Sequence, residues 1–263
     1  MKAVSTLTSA ATKAMKFTVP RLFTLLALSL TIPVAITAKR SNFAVPGNPF
    51  PVFTSATPAA LTKAASATSM LFYTIGLDNQ GLPYEAFLSA MKGFSTLRER
   101  QLVSEDSILT IVDFSKSSRE KRLYVVDLKK QGILFHTVVA HGRNSGQEFA
   151  RSFSNKPSSN KSSLGFYVTE GTYMGSNGYS LRLQGVETGI NDMALPRAIV
   201  MHGAEYANES VIRTKGFLGR SFGCPAVPQK LTRPIIDKIK NGNAIFVYYP
   251  DPSYMKRSKL LNS

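Results

Sequence analysis

Apolar positions fall into two regimes along this chain. Between Pro83 and Arg100 they recur at Phe87, Leu88, Met91, Phe94 and Leu97, which is the spacing of one helical face behind an opening proline. A helical segment is therefore expected over 81–105. From Ser107 onward the period shortens to strand-like runs at 108–114, 122–128, 133–140, 165–170, 180–184, 198–202 and 244–249. Turn-rich pieces such as 129–132 and 174–178 divide them. A further helix is expected within 227–241, where Leu231, Ile235, Ile236 and Ile239 share one side. The pattern predicts a mostly β domain over 106–250 with one or two packed helices, no internal repeat, and a basic, frayed tail over 251–263.

Before residue 81 neither period is present. Lys2, Lys13, Lys16 and Arg21 precede an apolar run from Leu22 to Ala35, and small residues follow through Ala38. A basic start, about 14 apolar residues and a small-residue exit describe a secretory signal over 1–38. The alternative is an uncleaved N-terminal anchor, because Lys39 and Arg40 follow at once; Pro33 and the short run favour cleavage. Either way the bulk of the chain is expected outside the cytoplasm. Residues 39–80 are rich in Ala, Ser, Thr and Pro and read as a low-complexity linker.

Charge and cysteine usage narrow the partners. The formal charge of +16 falls to about +12 if the four early bases leave with the signal. An exported basic protein meets anionic cell-envelope polymers, with a membrane contacted only through an uncleaved N-terminus; simple solubility explains the charge equally well. No helix-turn-helix, zinc-finger or RNP-like pattern occurs, so nucleic acid is not an expected partner. The chain has one cysteine, Cys224, within GRSFGCPAVP. One thiol closes no internal disulfide, so in an exported protein it points to use, deep burial or an interchain bridge.

Three histidines accompany it. His136 lies inside an apolar run and reads as a strand residue, whereas His141 and His202 end their runs, where scaffolds present side chains to ligands. There is no paired Cys/His or HExxH spacing, and His136 and His141, five apart on a strand, face opposite sides; a metal site is not expected. Nucleophilic catalysis fits better: a thiol needs a base or positive field to become a thiolate, and His202 and Arg220 are candidates for each. Gly223 permits unusual backbone angles and close approach of a substrate, and amides around Gly223 and Cys224 are candidate oxyanion donors; Pro225 has none to offer. By spacing alone a buried inert thiol remains an equal reading.

His202-Gly203, followed by Arg220 and then Ser221-Phe222-Gly223-Cys224, resembles the signature of the L,D-transpeptidase catalytic domain family: His-Gly, a variable stretch, then Ser-His-Gly-Cys, an apolar residue and an arginine. The segment Ser162-Ser163-Leu164-Gly165-Phe166-Tyr167-Val168 is similar to the family's Thr-Pro-x-Gly-x-Phe-x-Ile strand. Phe222 replaces the second histidine and Pro225-Ala226 the apolar-arginine pair, which resembles the divergent murein branch, with Arg220 in place of the missing arginine. The resemblance implies an L,D-transpeptidase-like β-sandwich and a cofactor-free cysteine acyltransferase of the periplasm or envelope of a bacterium. Cys224 would attack peptidoglycan stem tetrapeptides, His202 would act as base, and Ser221, Gly223, Arg220, Gly203 and His141 would line the oxyanion and substrate site. The acyl acceptor is an amine, or water in an L,D-carboxypeptidase using the same pair; a non-catalytic wall-binding module is the alternative class. Glu205 is a candidate third member, Arg143, Asn144 and Ser145 candidate groove residues, and Tyr173 and Tyr179 a candidate lid. Lys156, Lys161, Arg213 and Lys215 are candidates to attract stem carboxylates.

Overall fold

The strand-like runs assemble into one sheet. The computed structural model describes residues 58–263, with strands β1 (Ile108–Asp113), β2 (Leu123–Asp127), β3 (Gly132–Thr137), β4 (Gly165–Gly175), β5 (Gly178–Gly185), β6 (Val200–Ala204), β7 (Ala226–Pro228) and β8 (Ala244–Tyr248). Their order is β3-β2-β1-β8-β4-β5-β6-β7, with β1 parallel to β8 and β6 parallel to β7. Isolated bridges from Ala140 to Ala226 and from Gly142 to Ser221 tie the chain beyond β3 to the opposite edge, so the sheet curls nearly into a barrel. The mostly β expectation holds. The signal or anchor expected at 1–38, and linker residues 39–57, lie outside the described residues.

Every residue of β1, β2 and β8 is buried, which is why these strands read as continuous apolar runs instead of alternating ones. The predicted first helix is α2 (Tyr84–Glu99), which lays Phe87, Met91, Phe94 and Leu97 on the sheet. It approaches so closely that a Cβ at Gly93 would overlap the ring of Phe166, itself stacked on Phe246 with centroids 4.3 Å apart. The predicted late helix is α4 (Gln229–Ile239), whose Ile235, Ile236 and Ile239 are buried.

The linker reading of 39–80 is corrected from residue 58 onward. α1 (Pro58–Ile75) is a helix: its alanines favour helix, and Phe72 docks against Phe87 and Tyr84 of α2, with ring centroids 5.5 and 5.3 Å away. The tail is corrected too. Asp251 accepts from the Tyr254 amide (2.9 Å) and caps α5 (Pro252–Arg257), while Tyr254, Leu260 and Leu261 are buried. The buried Glu187 carboxylate accepts from the hydroxyls of Tyr254 (3.2 Å) and Ser258, latching the C-terminus to the domain. A short helix, α3 (Glu209–Lys215), follows a 3-10 turn at Glu205–Ala207. Among the described residues no helix is long and apolar enough to cross a membrane.

Candidate active site

β6 and β7 bring the two motifs together. They pair in parallel with His202 opposite Ala226, so the turn holding Cys224 runs up to the start of β6. The Cys224 thiol, half-buried, points at the Ala198 carbonyl oxygen 3.7 Å away and sits against the Val200 amide. Val200, whose amide meets the thiol, and His202 are two apart on β6, so thiol and imidazole are set against the same strand. No hydrogen bond joins them among the described residues in this resting arrangement; the sulfur is turned to Ala198.

His202 is oriented by its neighbour. Its Nδ1 lies 2.9 Å from the Gly203 carbonyl oxygen, and a carbonyl only accepts, so Nδ1 carries the hydrogen and Nε2 is left as an acceptor. Burial holds its pKa below the ordinary value, against the Gly203 bond, so the ring is neutral at neutral pH. Burial likewise pushes the Cys224 thiol up; the Val200 amide, the Arg197 charge and the amide of Cys224 itself work the other way. The resting pair is thus a thiol and a neutral imidazole. Gly203 backs directly onto Thr232 of α4 and has no room for a side chain. Glu205 is exposed on the 3-10 turn, and among the described residues the His202 ring is oriented by the Gly203 carbonyl instead of a carboxylate.

Ser221 organises the cysteine turn. Its hydroxyl accepts from the Gly223 amide (3.0 Å) and donates to the Cys224 carbonyl (2.7 Å). Ser162 adds a second clamp, donating to the Gly223 carbonyl (3.0 Å) while accepting from the Gly142 amide (3.0 Å). Gly223 has φ +133°, and a Cβ there would meet Ile199, the Lys161 carbonyl and Arg197. Its expected oxyanion role is corrected: the Gly223 amide is committed to Ser221. The Cys224 amide has no backbone acceptor among the described residues and faces its own sulfur.

Two further expectations change. Arg220 turns away to the carbonyls of Arg143 (3.3 Å) and Gly146 (3.2 Å); the cation whose charge reaches the sulfur is Arg197. His141 does not line a groove. It is 1% exposed, accepting at Nδ1 from buried Arg122 (2.8 Å) and donating from Nε2 to the Gly146 carbonyl (3.3 Å). Burial, and after it the Arg122 charge, pushes its pKa down to about 3. Arg122 also donates to the carbonyls of Val139 and Lys116, so this pair builds the wall behind the turn.

The remaining candidates divide by placement. Arg143 is exposed with its guanidinium 4.7 Å above the Phe222 ring, which is itself 67% exposed at the mouth of the turn. Asn144 binds Ser159 and Asn160, and the Ser145 hydroxyl accepts from Ser162, so both hold loops together. Tyr173 lies under Arg182, and Tyr179 is pinned to α4 by Asp237 (2.7 Å) and Arg233. The expected lid is a tethered hairpin whose tip exposes Met174, Ser176 and Asn177. Lys161 donates to Ser152 (2.7 Å), Arg213 and Lys215 lie on exposed α3, and Lys156 is exposed. Among the described residues no cluster of three His, Cys, Asp or Glu side chains is placed to hold a metal ion. Arg197 is the site residue that pattern reading missed; its signal was a lone cation opening the run RAIVMHG.

The fold is a mostly β domain whose single cysteine sits in the turn before β7, beside the strand that carries His202. A family model described as L,D-transpeptidase catalytic domain matches residues 78–248, and the chain belongs to that family. Solved structures with similarity include an L,D-transpeptidase from Mycobacterium smegmatis, at 12% identity over 55% of this chain and 59% of that one, with a TM-score of 0.35. Mycobacterium tuberculosis L,D-transpeptidase 1 shares 13% identity over 55% of this chain and 62% of that one, with a TM-score of 0.32. An L,D-transpeptidase from Stackebrandtia nassauensis shares 15% identity over 71% and 78%, with a TM-score of 0.32. The chain thus spans 59% and 62% of the two mycobacterial structures. No curated protein matches it significantly.

Proposed function

We propose that the chain is an exported peptidoglycan L,D-transpeptidase in which Cys224 is the nucleophile and His202 its base. The observation that carries this is the Nδ1 bond of His202 to the Gly203 carbonyl. It commits the imidazole carried by β6 to the tautomer that accepts a proton at Nε2. The sulfur swings from Ala198 toward the ring, His202 takes the thiol proton, and the thiolate attacks the amide carbonyl at the L-centre of diaminopimelate in a stem tetrapeptide. The amide of Cys224, which has no backbone acceptor among the described residues, is the donor for the oxyanion. Collapse expels D-alanine, whose amine receives the proton from His202, and leaves a thioester on Cys224. An amine acceptor then takes the acyl group. Export rests on the basic, apolar and small-residue succession of 1–38.

The test is mass spectrometry of the full chain incubated with tetrapeptide muropeptides and a D-amino acid. Exchange of the terminal residue or cross-linked product is expected, together with a thioester adduct on Cys224. Loss of D-alanine alone would make the protein a carboxypeptidase, and unchanged turnover by Cys224→Ala would overturn the proposal.

A further inference from the structure

The guanidinium of Arg197 occupies an unusual place. Nη1 donates to the Ser154 carbonyl (2.8 Å) and the Ser163 hydroxyl (2.6 Å), and Nη2 to the Lys161 carbonyl (2.5 Å) and the Ser159 hydroxyl (3.3 Å). All four partners are neutral oxygens, and neither ion pair among the described residues involves this arginine. Its charge is therefore held in place without being neutralised. Nη2 stands 3.3 Å from where a Cβ of Gly223 would be, against the nucleophile turn. The next residue, Ala198, has φ +53°, a left-handed conformation costly for alanine. That bend sends the Arg197 side chain into the 154–163 loop and turns the Ala198 carbonyl to the sulfur.

We propose that Arg197 is the positioning cation of this site: it favours the thiolate of Cys224 by charge and straps the 154–163 loop to the nucleophile turn. This rests on the reading of Cys224 as nucleophile. The groups facing the sulfur are Arg197 from the 186–199 segment, Tyr167 of β4 and Tyr206 of the 3-10 turn, with His202 further along β6. Both tyrosines are pushed up by burial, Tyr206 to about 12, so they stay neutral through the useful pH range. Arg197 is then the fixed positive charge in the set. It also explains why Arg220, bound to carbonyls on the far side of Ser221, is not needed beside the thiol.

Because Cys224 is the chain's single cysteine, iodoacetamide alkylation reads this thiol alone. In the full-length protein Arg197→Gln should move the alkylation midpoint up by about one pH unit, making alkylation about tenfold slower at pH 8. Arg197→Lys keeps the charge and should stay near the parent. Equal midpoints for parent and folded Arg197→Gln would overturn the assignment. Should Arg197→Gln not fold, the parent protein decides: iodoacetate should gain on iodoacetamide relative to a free cysteine peptide, and the gain should shrink with salt. An unchanged ratio overturns the proposal equally. Alkylation needs no stem peptide, so failure of the transpeptidase reading leaves this result standing, and the reverse also holds.

Discussion

The Ser221 hydroxyl donates to the carbonyl of Cys224 at 2.7 Å while accepting from the Gly223 amide, closing the cysteine turn with one side chain. A turn with positive φ at its centre is held in shape by this staple and by Ser162. Ser221→Ala leaves two polar groups unpaired at a position that is largely buried. It should cost about 1–3 kcal/mol in urea unfolding and slow acylation of Cys224 by a carbapenem. Parent-like values in both measurements would remove the staple from the account.

His202→Gln should lower the acylation rate by about 10²–10⁴-fold, since the base is lost while the fold is kept. The pH profile carries more information. The His202 pKa is lowered and the Cys224 pKa raised in the folded protein, so thiol and neutral imidazole coexist across a broad neutral window. Acylation should therefore be flat through that window and fall only below the ordinary histidine value. A rate that climbs tenfold per pH unit through neutrality would mean free thiolate, not the pair, does the chemistry.

His141 should make the fold acid-sensitive. Its folded pKa is depressed to about 3, whereas the unfolded chain binds the proton near the usual 6.5. Its stabilising contribution is thus present above pH 6.5 and is lost as the pH falls toward about 3. Asp113 and Glu187, both raised by burial, run in the opposite sense. The clean measurement is the difference in urea midpoint between parent and His141→Asn, which should narrow on acidification.

Gly93→Ala sets two effects against each other. Alanine gains about 1 kcal/mol of helix propensity in α2, but its Cβ would overlap the Phe166 ring. That ring is fixed in a buried stack on Phe246 and cannot swing aside cheaply. Overpacking of about 1–3 kcal/mol should win, so the thermal midpoint falls. A higher midpoint would show that the α2 to β4 contact is slack.

Much of the scaffold was legible because burial on both faces leaves continuous apolar runs, and the runs opening at 108, 165 and 244 became strands starting on those same residues. The tail was not legible. Its basic residues mask Tyr254, Leu260 and Leu261, which join the core beside partners far away in sequence, such as Glu187, 67 positions before Tyr254. Within the site, the two motifs lie on or beside consecutive strands, β6 and β7, which pair in parallel; His202, read as the end of its run, is instead the central residue of β6. Arg220 misled for a physical reason: nearness in sequence says nothing about where a long, flexible guanidinium turns, and its oxygens were on the Arg143–Gly146 turn.

By itself the sequence determined the family's His-Gly and Ser-x-Gly-Cys framework, the mostly β plan and the solitude of Cys224, since these are properties of residue type and order along one chain. Tertiary structure alone decided which groups surround the sulfur. Arg197 reaches it through a left-handed bend at Ala198, His202 is fixed by a carbonyl instead of a carboxylate, and His141 is withdrawn into the core by Arg122. Charge, burial and hydrogen bonding act through space, and at this turn the neighbours in space come from segments up to about eighty residues apart.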